Sequence, residues 1–197
     1  MKNLKFSGSL RTEFGKKYAK QFRKQGKVPC ILYGGEEVIH FLLTETDLRP
    51  LIITPDVHTI ELDIEGKTYM SIMKDAQFHP VKDNPLHIDF LQIFDEKPII
   101  IELPVKLNGL AEGVKDGGKL SQELRKLKVK GFYKNVPEVL DIDVTNLGLG
   151  KTMQVGTLSF DNLEIITQKQ AIVCAVKLTR VARGLAAAAA KQDATKK

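Results

Sequence analysis

The chain has 197 residues, 43% of them hydrophobic and 27% charged, with a formal net charge of +6; that is enough apolar material for one large core or two modest ones. No run approaches the ~20 apolar residues of a membrane-spanning helix, and the opening "MKNLKFSGSLRTEFGKK" has no apolar secretory segment, so it reads as mature sequence. The charge is unevenly placed: +8 over residues 1–30 (nine Lys or Arg against Glu13), −7 over 31–176 (15 against 22 acids) and +5 over 177–197 (six against Asp193), which points to a polyanionic partner, nucleic acid or an acidic membrane surface.

In chain order, "NLKFSGSLRT" alternates apolar and polar residues and predicts a half-buried strand. "EFGKK" supplies a loop around Gly15. "KYAKQFRKQ" spaces Tyr18 and Phe22 four apart with Ala19 beside them, predicting a short helix over 17–25 with one apolar edge. Gly26 stands where a helix C-terminus favours glycine. "KVPCILY" reads as a buried strand turned by "GG", and "EVIHFLL" as the next strand. "TETDLRPLI" carries Thr44 with Asp47 three residues on, a weak capping signature, and Pro50 limits that helix to a short piece. "HTIELDI" and "KTYMSIM" flank "EG", a hairpin signal. "AQFHPVKDNPLHIDFLQIF" sets two prolines around a loop. A strand follows with His87, Asp89 and Leu91 on one face and Ile88, Phe90 and Gln92 on the other.

The pattern changes after Phe94. "DEKP" is a polar joint, and "IIIELPVKLNG" begins a new strand series. "LAEGVKDGGKL" reads as an irregular glycine-rich loop. "SQELRKLKVKGFY", "PEVLDIDVTNL", "KTMQVGTLSF" and "AIVCAVKLTR" continue as short strands and turns. The expected organisation is a mainly β domain over 1–94, a second all-β domain over 95–180, and a basic, Ala-rich tail over 181–197 that is disordered or weakly helical. Cys30 and Cys174 lie in different halves and fit reduced cytosolic thiols better than a disulfide.

Two constellations carry chemistry. Residues 16–35 hold six Lys or Arg and no acid. Lys16, Lys20 and Lys24 recur every four residues, with Arg23 and Lys27 near that line, so they share a helix face. Like charges at this spacing repel by a few tenths of a kcal/mol per pair. A phosphate backbone would offset that by releasing its condensed counterions. The second constellation is His87-x-Asp89, both on one strand face. It can be a satisfied His–Asp pair, a reader of base edges, or the opening of a facial iron triad. The triad pattern needs a second His downstream, and His40, His58 and His79 all lie upstream. No G-x-S-x-G, H-E-x-x-H, Walker or dinucleotide-binding pattern occurs.

"LRTEFGKKYAKQFRKQGKVPCILYGG" followed by "QFHPVKDNPLHIDF" resembles the bacterial large-subunit ribosomal protein L twenty-five family. The second all-β domain makes it similar to the long form, the CTC or general-stress-protein type. The match covers about Leu4 to Phe94 with both motifs in order, and extends more loosely to about Val176. The resemblance implies a six-stranded β-barrel with short helices that binds 5S rRNA at loop E in the central protuberance. It implies that Arg11, Lys16, Lys20 and Arg23 grip phosphates while Tyr33, Gln77, His87 and Asp89 read the shallow minor groove, its base edges and 2′-hydroxyls. His79 and Pro80 would shape the loop that carries Gln77. The implied partners are 5S rRNA, large-subunit RNA and neighbouring ribosomal proteins, on cytoplasmic ribosomes. No cofactor, metal, membrane, small-molecule substrate or catalysis is expected. Lys20 stands where the family usually has arginine, Lys17 replaces a small residue, Ala19 can replace a hydroxyl contact, and "KVKGFYKNVPE" departs from the family's usual run in the second domain. The competing classes are a non-haem iron enzyme using His87 and Asp89, and a stress-related RNA-binding or membrane-surface factor acting off the ribosome. For the membrane the large apolar face is lacking.

Overall fold

The computed structural model describes residues 3–54 and 56–180; the tail at 181–197, expected to be disordered or weakly helical, lies outside the described residues. The described residues group into two compact units. One runs to Ile101 and includes Gly131–Glu138; the other holds Glu102–Lys130 and the residues from Val139 onward.

The first unit is a closed six-stranded barrel built from β1 (Asn3–Leu10), β2 (Lys27–Tyr33), β3 (Ile39–Thr44), β4 (Thr59–Ile64), β5 (Lys67–Phe78) and β6 (Pro85–Gln92). Around the barrel the order is β1-β3-β2-β6-β5-β4. β1 closes on β4 in parallel and β2 pairs with β6 in parallel, while the other four seams are antiparallel. Closure removes every sheet edge. Alternation then does the sorting. Val28, Cys30 and Leu32 of β2 point inward with Phe41 and Leu43 of β3, Ile60 and Leu62 of β4, and Ile88 and Phe90 of β6. The Phe41 and Phe90 rings meet in the centre, 5.7 Å between centroids. Each such side chain contributes about 1.5–3 kcal/mol on burial. Both cysteines are free and buried, and burial pushes the Cys30 thiol far above its ordinary range.

Helix α1 (Lys16–Lys24) lies against β2. It ends as its sequence predicts, with Gly26 in the left-handed region at φ 73°. Helix α2 (Arg49–Ile53) is the short piece expected, but Leu48 rather than Thr44 is its N-cap, no side-chain cap bond forms, and Pro50 sits in the first turn. Proline's missing N–H costs nothing there, and its fixed φ suits a helix start. The Glu65–Gly66 turn between β4 and β5 has φ of 50° and 80°, the two left-handed residues of a tight hairpin. β5 runs well beyond Met73 because a bulge between Met73 and Asp75 resets its register and lets it pair with β6 as far as Phe78.

The second unit is also β. β7 (Ile99–Asn108), β9 (Lys126–Gly131), β10 (Leu140–Asp143) and β12 (Glu164–Ile165) form one sheet in the order β10-β7-β9-β12, and β8 (Lys119–Gln122), β11 (Thr152–Gln154) and β13 (Ile172–Lys177) form another in the order β11-β13-β8. Leu103, Leu127, Val129, Val173 and Cys174 are fully buried. The segment expected to be an irregular loop contains a single helical turn, α3 (Glu112–Lys115).

Candidate nucleic-acid interface

The eight residues singled out in the sequence fall into two adjoining groups. Tyr33, Gln77, His87 and Asp89 share the outer face of the barrel. Their neighbours Leu32, Ala76, Ile88 and Phe90 alternate toward its core. Gln77 pairs directly with His87, and Asp89 stands between Asp75 on β5 and Ile31 on β2. Ile31 in turn faces His40, whose carbonyl accepts the Arg11 N–H at 2.9 Å. One transverse row therefore reads Arg11, His40, Ile31, Asp89, Asp75. At about 4.8 Å per strand it runs roughly 19 Å.

One side-chain bond joins this row to its neighbour His87. His87 Nδ1 lies 2.7 Å from Asp89 Oδ1. A carboxylate oxygen accepts, so Nδ1 is the donor of this bond. The second Asp89 oxygen stays available for amino groups on a base edge. Asp75 stands opposite Asp89 in register, a like-charge pair that destabilises a bare sheet. Burial first, then the charges of Asp89 and Asp75, push the Tyr33 phenol above its ordinary value, so it remains a donor at neutral pH. Gly34 follows at φ 98°. A Cβ there would come within 2.7 Å of Leu91 Cδ1, so glycine lets the chain leave β2 tightly against β6.

Arg11 is held in place before any ligand arrives. Its Nε donates to the Glu13 carbonyl at 2.8 Å, and its guanidinium lies 5.3 Å from the Phe14 ring and 5.8 Å from the Phe22 ring. Phe14 meets the His40 ring edge-on at 5.1 Å. Lys16 and Lys20 stand exposed on α1. Arg23 is tied down, its Nε donating to the Leu86 carbonyl at 3.0 Å, which fastens the helix beside His87. Among the described residues no ion pair reaches Lys16, Lys17, Lys20, Arg23 or Lys24. His79 does organise its loop: Nδ1 accepts the N–H groups of Val81 and Lys82, each at 3.2 Å.

Sequence reasoning missed Asp75, His40 and Phe14. Asp75 reaches the row only through the bulge, and His40 links Ile31 on the preceding strand to Arg11 at the end of β1. His87 and Asp89 bond to each other, and among the described residues no cluster of three or more His, Cys, Asp or Glu could hold a metal ion.

Comparison with known proteins gives a consistent picture. Residues 6–90 match the Ribosomal L25p family and residues 98–180 match the ribosomal protein TL5 C-terminal domain. The chain is 56% identical over 196 residues to the "Large ribosomal subunit protein bL25" of Bacteroides thetaiotaomicron, covering 97% of this chain and 100% of that one. It is 59% identical over 184 residues to the protein of the same name from Azobacteroides pseudotrichonymphae, covering 93% and 97%. It is 54% identical over 188 residues to that of Porphyromonas gingivalis, covering 94% and 98%.

Proposed function

The chain belongs to the ribosomal L25p family, and from that premise we propose that it is a structural protein of the large ribosomal subunit, not an enzyme, whose barrel binds 5S rRNA at loop E in the central protuberance. The single observation that carries the RNA reading is the junction of two surfaces. A helix face whose cations form no ion pair among the described residues adjoins a sheet face where His87 is bonded to Asp89 beside Gln77 and Tyr33. Arg11, Lys16, Lys20 and Arg23 would take phosphates, which position but do not specify. Tyr33 donating, and His87, Asp89 and Gln77 presenting outward groups, would meet 2′-hydroxyls and base edges in a wide, shallow minor groove. The Asp75–Asp89 opposition fits the same reading, because amino-group donors on a base edge relieve it.

We place the site in the residues before 95 and assign none to the second domain. A titration of the purified chain against 5S rRNA and against an unrelated RNA duplex tests this. Preference for 5S rRNA, with log affinity falling by about 3–4 per decade of salt for four phosphate contacts, is expected. Equal affinity for both RNAs, or a flat salt response, would contradict it.

A further inference from the structure

A groove of about 380 Å³ opens between the C-terminal half of α1 and the turn joining β5 to β6. Lys20, Arg23, Lys24 and Lys27 line one side and Lys82 the other, with Glu45 the one acid in its wall. We infer that this groove is a second phosphate site, a track for the RNA backbone, in which Lys24, Lys27 and Lys82 take part. The inference rests on the RNA-binding reading above and extends it to residues outside the eight.

Three observations carry it. The groove is built, not incidental. Gly26 turns the chain from α1 into β2 at φ 73°, and its carbonyl accepts the Glu45 N–H at 2.9 Å. Lys24 and Lys27 are thereby fixed on either side of the turn. Opposite them, His79 accepts two N–H groups of the 79–85 turn, one from Lys82 itself. The same turn is closed by the His79 N–H on the Asn84 carbonyl and the Asp83 N–H on the His79 carbonyl, each at 2.9 Å.

Its charge is also unbalanced. Among the described residues none of the five cations is ion-paired, whereas Lys5, Lys128, Lys130, Lys134 and Lys177 each have a carboxylate at 2.6–3.4 Å. Crowded like charges cost stability, and a polyanion removes that cost by counterion release. Finally, the groove is continuous with the base-reading face. Arg23, in its wall, is bonded to the carbonyl of Leu86, the residue before His87. A strand whose edge meets His87 and Gln77 would pass its backbone over this groove. At ~30 Å³ per water the groove holds about a dozen waters, room for a phosphodiester with part of its hydration.

The test is the full chain carrying Lys24→Gln, Lys27→Gln and Lys82→Gln together, against a control carrying Lys67→Gln, Lys106→Gln and Lys126→Gln. Both lose the same charge, and circular dichroism confirms that both fold. Each is titrated at several salt concentrations against 5S rRNA and against an unrelated RNA duplex. The groove variant should bind both RNAs at least about tenfold more weakly than the control, with the salt slope reduced by about 3. Lys82→Arg in the wild-type background should keep full affinity. A groove variant indistinguishable from the control on both RNAs overturns the inference and leaves the groove to an acidic partner of another kind. If the wild type shows no preference for 5S rRNA, the function proposed above fails. The comparison on the duplex still decides the groove, because a phosphate track is blind to sequence.

Discussion

Helix α1 and strand β9 both line lysines along one face, and they treat them oppositely. β9 places Lys126, Lys128 and Lys130 at every second residue. Glu102 on β7 meets Lys128 at 3.4 Å, and Glu164 on β12 meets Lys130 at 3.3 Å, directly in register. α1 places Lys16, Lys20 and Lys24 at every fourth residue, and among the described residues none of them is ion-paired. The first arrangement is a face on which the sheet itself balances two of the three lysines. The second is a face with no such partners among the described residues, the face the proposed function gives to RNA phosphates. Lysine content alone does not separate the two; the placement of glutamate does.

The strongest test of that contrast removes the support beneath each face. Phe90 is fully buried at the centre of the barrel and Leu127 is fully buried in the second unit. Phe90→Ala should cost about 3–5 kcal/mol and Leu127→Ala about 2–5 kcal/mol. If the RNA site lies wholly in the barrel, thermal melts with parallel RNA titrations should show binding lost with Phe90→Ala and kept within a few-fold with Leu127→Ala. Loss of RNA affinity in a Leu127→Ala chain whose barrel remains folded would join the two units in one site.

Charge removal comes next. Lys16→Gln with Lys20→Gln and Arg23→Gln should flatten the salt dependence. With three phosphate contacts removed, the slope of log affinity against log salt should fall by about 3. Lys128→Gln with Lys130→Gln removes two exposed ion pairs. It should change stability by less than ~1 kcal/mol and RNA affinity less than about twofold.

How much of this could be read from the sequence depends on range. The basic helix, the outward face of β6 and the glycine after α1 are local, and spacing alone predicts them. The inward set of β6, Ile88 and Phe90, follows from the same alternation. The helix at Pro50 is as short as expected, but its start was not legible: proline signals both a helix stop and a helix start, and Leu48 and Leu51 in the core fix which. Asp75 and His40 were not legible. Their places depend on a bulge and on which distant strands are neighbours, and a single sequence carries neither. Lys82 lies in the loop expected between the two prolines, and only the fold shows that His79 holds its amide.

A smaller effect separates positioning from specificity within the barrel. Arg23→Ala should weaken binding to 5S rRNA and to an unrelated duplex alike. Asp89→Ala should leave the duplex almost unchanged while reducing the preference for 5S rRNA by about tenfold, the size of one good base-edge contact. Equal effects of both variants on both RNAs would erase that distinction.

The smallest effect concerns pH. The folded chain holds the Tyr33 phenol above its ordinary value of 10.0, through burial and then through Asp89 and Asp75. The folded state therefore binds this proton more tightly than the unfolded state. The associated stability is complete below the unfolded value and falls as pH rises toward the folded one. Tyr33→Phe removes this contribution, so its melting temperature should decline less than that of the wild type from about pH 9 to 11.

The central claim, that the RNA site is the uncompensated face of the barrel, is tested most directly by lysine footprinting of the full chain with and without 5S rRNA. Acetylation of exposed amines is read by mass spectrometry at each lysine. The account predicts that bound RNA protects Lys16, Lys20 and Lys24, while Lys106, Lys126 and Lys169 in the second unit react as before. Protection concentrated in the second unit, with α1 still reactive, would contradict it.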